Sequence, residues 1–287
     1  MTKRTLLIDA DVLAYQAASA LETAIEWEAG FWTWHVEFDA VWQKVDEMVA
    51  DIKAKLDADK VVLCLTDPES NFRLDVLPTY KTHRKSTKKP LVLFHLKEWL
   101  VENRDGLMVP SLEGDDVMGI LATRGKGEKI IVSIDKDMKT IPCNYVRTRA
   151  VVGEDGAELV GAYDILKITE EEAHKYHMLQ TLMGDVTDGY SGCPNIGETK
   201  ARKIVDECLK AVPYEHKMLR GPRKGEVEVR YKMEPCDNLW EAVVSHYDAA
   251  GLGEEEALRQ ARVARILQSS DYNFEKKEVI LWTPKQS

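Results

Sequence analysis

The sequence predicts an α/β fold with a central, mostly parallel sheet flanked by helices. Three observations predict it. Residues 5–8, 61–65 and 129–134 are short, fully apolar or β-rich runs. Stretches with helical apolar spacing lie between them. Each run gives way to an aspartate, at Asp9, Asp67 and Asp135. Apolar strands without alternation belong to sheets covered on both faces.

The elements follow in order. The strand 5–8 ends at Asp9-Ala10-Asp11, and residues 12–20 read as a helix. Residues 23–27 and 31–38 alternate aromatic and polar side chains around Glu-Ala-Gly, the pattern of a β-hairpin. Its tryptophans are expected as core or cover for a sheet face rather than as a base-stacking platform. Val41, Val45, Met48, Val49, Ile52 and Leu56 form the stripe of an amphipathic helix. The strand 61–65 leads to Thr66-Asp67, and residues 72–90 are polar, basic and broken by prolines. A helix over 91–101 and a short strand over 108–110 come next.

In residues 111–120 three carboxylates fall within four residues, ahead of an apolar run. Ser111 is a candidate cap. Glu113 and Asp116 share a helix face, with Asp115 beside them. The stretch is a capped acidic helix start, a metal site, or both. The strand 129–134 ends at Asp135-Lys136-Asp137, and lesser strands follow at 146–150 and 158–160. From about residue 168 the chain reads as mostly helical. One helix carries Ala173, Tyr176, Leu179 and Met183 and stops at Gly184-Asp185. Another carries Ala201, Ile204, Val205, Cys208 and Leu209, and two more span 239–247 and 254–267. The change in character places a boundary near residue 165, giving domains 1–165 and 166–287.

Composition narrows the function. Net charge is −10 over 287 residues, which at face value argues against a non-specific nucleic-acid binder. The bases are clustered, however. Lys81, Arg84, Lys85, Lys88, Lys89 and Lys97 form one patch, and Lys217, Arg220, Arg223 and Lys224 a second. Each is a solvated loop or a contact surface. Five scattered cysteines without a Cys-x-x-Cys pair argue against a zinc ribbon or disulfide framework. No run approaches the ~18 apolar residues of a membrane span. No signal segment is recognisable, so a cytoplasmic location is expected, and no membrane partner. There is no Walker loop and no Gly-x-Gly-x-x-Gly, so no nucleotide cofactor is expected.

In parallel sheets ligands bind beyond the carboxyl ends of the strands. Asp9, Asp67, Asp135 and Asp137 would collect on that edge, with the Glu113 helix opening onto it. Acids sharing a cleft raise one another's pKa or require cations. Oxygen ligands without clustered His or Cys favour Mg²⁺ or Mn²⁺. Two such ions can activate water and stabilise a leaving oxygen in phosphodiester hydrolysis. Asp185 and Asp188 add two acids beside a turn. The turn at residues 194–200 leads into a helix whose N–H groups, with Lys200, could hold a phosphate. A plain helix–turn–helix connection is the alternative.

Taken in order, these motifs resemble the 5′-nuclease family of flap endonucleases and 5′→3′ exonucleases, with the phage exonucleases nearest in size. They are Asp9; Asp67 with Phe72-Arg73; Tyr80-Lys81-Thr82-His83-Arg84; Glu113-Gly114-Asp115-Asp116; Ser133-Ile134-Asp135-Lys136-Asp137; Gly184-Asp185-Val186-Thr187-Asp188; and Gly192 to Lys200. The resemblance implies a PIN-like nuclease core with a helical helix–three-turn–helix DNA-binding region. Asp9, Asp67, Glu113, Asp115 and Asp116 would hold one Mg²⁺ or Mn²⁺, and Asp135, Asp137, Asp185 and Asp188 a second. Lys81 and Arg84 would reach the scissile phosphate, and Tyr80 would stack near the terminal base. Arg73, Lys85, Lys88, Lys89, Asn195, Gly197, Thr199 and Lys200 would contact DNA, with K⁺ at the three-turn element. The implied partner is double-stranded DNA with 5′ ends, nicks or flaps, and the resemblance extends to RNA–DNA hybrids. A phage-encoded chain would act in the host cytoplasm.

The departures are specific. Ala10 replaces a common glycine, Asp11 is an extra acid without an assigned role, and Gly189 stands where Asn is frequent. Asn195 replaces a glycine, although Asn tolerates a left-handed backbone. Two other readings compete. Leu-Leu-Ile-Asp-Ala-Asp-Val resembles the haloacid-dehalogenase signature, with Asp9 as nucleophile. A junction-binding protein without catalysis is the non-enzymatic alternative.

Overall fold

The computed structural model describes residues 3–83, 88–152, 158–220, 222 and 225–285. Arg84, Lys85, Arg223 and Lys224 lie outside the described residues. The chain forms two compact units, each discontinuous in sequence. One comprises Met1–Phe72, Ser86–Ala173 and Ile266–Ile280; the other comprises Arg73–Lys85, His174–Arg265 and Leu281–Ser287.

The first unit starts with β1 (Arg4–Asp9), α1 (Ala10–Leu21), β2 (Thr23–Glu28), β3 (Phe31–His35), α2 (Phe38–Lys55) and β4 (Lys60–Leu65). Next comes α3 (Arg73–Val76), which belongs to the second unit. The first resumes with α4 (Leu93–Asn103), β5 (Gly106–Met108), α5 (Gly114–Thr123), β6 (Glu128–Val132) and β7 (Asn144–Val146). The short strands β8 (Val151–Val152), β9 (Glu158–Val160) and β10 (Ile165–Lys167) follow. The unit boundary falls within α6 (Glu170–Met183). The second unit continues with α7 (Glu198–Glu207), β11 (Leu209–Lys217), β12 (Val227–Pro235), α8 (Leu239–Ala249) and α9 (Gly253–Ala264). The strands β13 (Tyr272–Asn273) and β14 (Glu278–Val279) return to the first.

The main sheet has the order β10-β7-β6-β1-β4-β5. Neighbours from β7 to β5 are parallel, and only β10 is antiparallel. Alternation along β1 explains its unbroken apolar run. Leu6 and Ile8 join a core with Val41, Val45 and Leu96, while Leu7 joins a second with Val117, Met118 and Leu267. A strand buried on both faces has no polar positions to alternate. The second unit has its own core, in which Met178, Leu182, Ile204, Val243 and Tyr247 meet. No helix among the described residues is long and apolar enough to cross a membrane.

Three expectations need correction. The tryptophans of the β2–β3 hairpin cover no sheet face: Trp27, Trp32 and Trp34 are all exposed, Trp27 by 62%. The region after residue 168 is not mostly helical throughout, because β11 and β12 pair along nine residues each. Pro213 interrupts the β11 pattern, although residues 227–233 alternate apolar and charged side chains as a strand does. Finally, Cys208 turns left-handed at φ +47° and ends α7, which puts Leu209 on a strand rather than a helix.

Candidate active site

Parallel pairing brings the carboxyl ends of β6, β1, β4 and β5 to one edge of the first unit. Asp9 is both the last residue of β1 and the N-cap of α1. One carboxylate oxygen accepts the Val12 N–H at 3.1 Å, and the other accepts the Ser133 hydroxyl at 2.8 Å. The side chain is buried. Burial first, then Asp11 and, more weakly, Asp135, push its carboxyl up to about 6, against the Ser133 and Val12 donors. Cys64 reports the same field. Its thiol is raised by burial and then by Asp9, Asp11 and Asp115.

Asp67 follows β4 and accepts from the Ser111 N–H at 2.7 Å, the Glu69 N–H at 3.0 Å and the Ser70 hydroxyl at 2.7 Å. Burial acts to raise this carboxyl, but the donors outweigh it and hold it below its ordinary value. The α5 start differs from expectation in one respect. Ser111 is not the cap. Glu113 is the N-cap and forms a capping box with Asp116. Asp116 is fully buried. Its oxygens accept the Glu113 N–H at 3.1 Å and the Leu267 N–H at 3.0 Å, tying the helix start to the segment after α9. Asp115 is half-buried in the first turn. Asp135 caps the 3₁₀ turn Lys136–Thr140 by accepting the Asp137 N–H at 2.8 Å.

Asp11 acquires a role that its sequence position hid. It pairs with Lys97 at 2.7 Å and accepts the Thr66 N–H at 2.9 Å, while the Thr66 hydroxyl accepts the Gly114 N–H at 2.9 Å. It therefore fastens the ends of β1, β4 and α5 together. Ser133 stands within Ser-x-Asp-x-Asp, Lys97 reads in sequence only as one of a basic patch, and Thr66 carries no local signal.

In the second unit Asp185 accepts the Thr187 N–H at 2.7 Å and shapes the loop that carries Asp188. Gly184 and Gly192 run back to back beneath it. A Cβ on Gly192 would lie 2.3 Å from the Gly184 nitrogen, and both glycines have positive φ. Asp188 accepts the Tyr80 hydroxyl at 3.0 Å and pairs with Lys81 at 3.4 Å. Tyr80, expected to stack on a base, is instead buried and orients Asp188. Arg73, expected to contact DNA, is also buried. Its guanidinium donates to the Val263 carbonyl at 3.0 Å and to the Arg265 carbonyl at 2.6 Å, so it ties α3 to the end of α9.

The remaining expected contacts are placed as follows. Asn195 has φ +60°, and Gly197 is the N-cap of α7. Thr199 and Lys200 are exposed in its first turn. In the first unit Lys88 pairs with Glu22 and lies 4.4 Å from the centre of the Trp34 ring, beside Lys89.

Among the described residues no three Asp, Glu, His or Cys side chains close around one cation position. The acids accept N–H and O–H donors of the protein, and Asp11 and Asp188 also pair with lysines. The donor set is all oxygen, which fits a hard divalent cation and not a thiolate- or imidazole-bound one.

A two-sided parallel sheet with acids gathered beyond its strand ends is a nuclease-like core. The chain belongs to the 5′-3′ exonuclease family: the profile of the 5′-3′ exonuclease, N-terminal resolvase-like domain matches residues 4–171. It is 35% identical to the exodeoxyribonuclease of Enterobacteria phage T3, over 99% of this chain and 94% of that one. It is 34% identical to the exonuclease of Escherichia phage T7, over 98% and 94%. The fold is similar to that of the bacteriophage T5 5′-exonuclease solved with zinc, at a TM-score of 0.56, 13% identity and 91% and 89% coverage. The T5 flap endonuclease in a pseudo-enzyme–product complex with DNA and metal ions gives a TM-score of 0.55 at 14% identity, covering 92% of this chain and 89% of that one. Family membership sets aside the phosphatase reading of Asp9.

Proposed function

We propose that this nuclease hydrolyses phosphodiesters from the 5′ side of duplex DNA, at ends, nicks or flaps, with divalent cations held by its carboxylates. The observation that carries the reading is Asp9. It is a buried acid pushed up to about 6 beside Asp11 and Asp135, at the carboxyl edge of a parallel sheet. A cation there would relieve the repulsion. Asp9, Asp67, Glu113 and Asp115 would hold one Mg²⁺ or Mn²⁺, and Asp135, Asp137, Asp185 and Asp188 a second. Bound, such ions activate water and neutralise the charge developing on the phosphate.

The chain's own residues divide the remaining work. Asp116 acts as a positioning residue, because it is fully buried and its oxygens accept the Glu113 and Leu267 N–H groups. Tyr80 positions Asp188. Lys81 and Arg84 would attract the scissile phosphate. The turn at residues 194–200 would grip duplex backbone, with K⁺ as a candidate ion, and such contacts give little sequence preference. RNA in RNA–DNA hybrids is a candidate substrate, and the host cytoplasm the expected place of action.

The test uses a 5′-labelled duplex and a matched flap, each with Mg²⁺ or with EDTA. Labelled mononucleotides or short oligomers should appear from the 5′ side with Mg²⁺ only. No release from either substrate would sink the proposal. Binding without cleavage in Mg²⁺ would instead revive the junction-binding alternative.

A further inference from the structure

The β11–β12 hairpin is unexplained by the site described above. Its nine-residue strands extend ~30 Å at the usual rise per residue. At its root, Ala211, Tyr231 and Met233 line a 250 Å³ cleft with Asn195, Ile196 and Lys200. The hairpin therefore starts at the turn assigned to DNA backbone. Directly paired residues share a face of an antiparallel ribbon. Val227, Val229, Tyr231 and Met233 alternate on one such face, and all are exposed, Val229 by 62%. An exposed apolar stripe of this length marks a contact surface.

Charge identifies the partner. Residues 209–235 carry seven Lys or Arg against four Glu and no Asp, in a chain of net −10. Along the shaft the charges are largely matched. Arg230 pairs with Glu228, Lys232 with Glu234, and Lys210 with Glu241. Glu215 and Glu226 add two more acids, Glu226 opposite Met218. At the far end of the strands Lys217 and Arg220 are exposed. A shaft whose bases are paired with acids, followed by exposed Lys217 and Arg220, suits a polyanion that the far end must reach.

We propose that the β11–β12 hairpin is a second grip on the substrate, lying along the backbone of duplex DNA beyond the 194–200 turn, with Lys217 and Arg220 on phosphates at its far end. The proposal rests on the reading of this chain as a DNA nuclease. The apolar stripe packs on deoxyribose, and the tip adds charge beyond the 194–200 turn. These contacts carry no base readout.

The test measures binding to a 30-base-pair duplex in EDTA by fluorescence anisotropy across a KCl series. Each phosphate neutralised adds about 0.9 to the slope of log K against log[salt]. Lys217→Ala/Arg220→Ala should flatten the slope by about two and weaken binding several-fold at low salt. Lys126→Ala/Lys276→Ala removes the same charge from exposed positions on the first unit and should leave the slope unchanged. Equal slopes for wild type and the tip variant would overturn the proposal and leave the apolar stripe as a protein-docking face. Equal flattening in both variants would overturn it too, since bulk charge alone would then be acting. The parent reading is judged separately, by cleavage of the 5′-labelled duplex by wild-type protein. If wild-type protein neither binds nor cleaves DNA, both readings fall.

Discussion

The two units bury opposite kinds of titratable group. The first holds Asp9 at a strand end among other acids, its carboxyl pushed up to about 6. The second holds His177 in its helical core, fully buried, with Nε2 2.8 Å from the Ala261 carbonyl. Burial first and Arg265 second push this imidazole down to about 3. His177 is thus neutral across the physiological range, with its Nε2–H spent on a carbonyl and the Trp282 ring edge-on at 5.0 Å. Only that one nitrogen is paired, because Nδ1 is buried without a hydrogen-bond partner. Asp9 differs, because its charge at neutral pH is opposed by its surroundings. The two groups are distinguished here by charge: burial keeps the histidine neutral, whereas it opposes a charge that the aspartate carries at pH 7.

The largest expected effect comes from neutralising Asp9. Asp9→Asn keeps an oxygen for the Val12 N–H and removes the charge. Cleavage of the 5′-labelled duplex should fall by at least ~10²-fold, as for loss of a group that stabilises transition-state charge. Stability without metal at pH 7 should rise by about 1–3 kcal/mol, since one pKa unit corresponds to about 1.4 kcal/mol. Chemical denaturation in EDTA measures the second quantity. A variant both inactive and less stable would break the contrast and make Asp9 a structural group.

Acid should separate the units. A carboxyl whose folded pKa is raised gives its stability below the unfolded pKa and loses it as pH rises through the folded one. Asp9 therefore stabilises the first unit by about 2 kcal/mol on going from pH 7 to pH 4. Asp67, held below its ordinary value, works the other way with less weight because it is more exposed. His177 is depressed, so the unfolded chain takes up a proton that the folded one refuses. The second unit should lose about 3 kcal/mol over the same range. Hydrogen exchange, corrected for intrinsic rates, should show α6 amides losing protection at pH 4 while β1 amides keep theirs. The reverse order would refute the assignment.

Legibility in the sequence follows the same division. The strands β1, β4 and β6 are legible because both faces are buried, so their central residues form unbroken apolar runs shortly before an acid. The hairpin β11–β12 offers less: Val227, Val229, Tyr231 and Met233 alternate with charged residues as a strand does, but Pro213 breaks the pattern of its partner strand. Among site residues, strand-end position located Asp9, Asp67 and Asp135. Long-range partners decided the others. Arg73 and Tyr80 lie in a basic, polar stretch that reads as surface. Their burial depends on Val263, Arg265 and Asp188, more than a hundred residues away. Asp11 was opaque for the same reason, since Lys97 and Thr66 give it its role.

The smallest effect concerns a position where the sequence departs from the family pattern and the backbone is left-handed. Asn195 stands at φ +60°, where the resemblance has glycine. The left-handed region costs most residues about 1–2 kcal/mol, and Asn less than most. Glycine would remove that strain, but it costs about 0.5–1 kcal/mol in unfolded-chain entropy. The two terms nearly cancel, so Asn195→Gly should change stability by no more than about 0.5 kcal/mol. Asn195→Ala keeps a Cβ without the local hydrogen bonding that Asn offers and should cost about 1 kcal/mol. Thermal denaturation of the pair measures the difference. A loss above about 2 kcal/mol in the glycine variant would show that the Asn195 side chain, and not its backbone angle, holds the turn. The approach to α7 would then depend on a side chain, as Asp188 depends on Tyr80, rather than on φ alone.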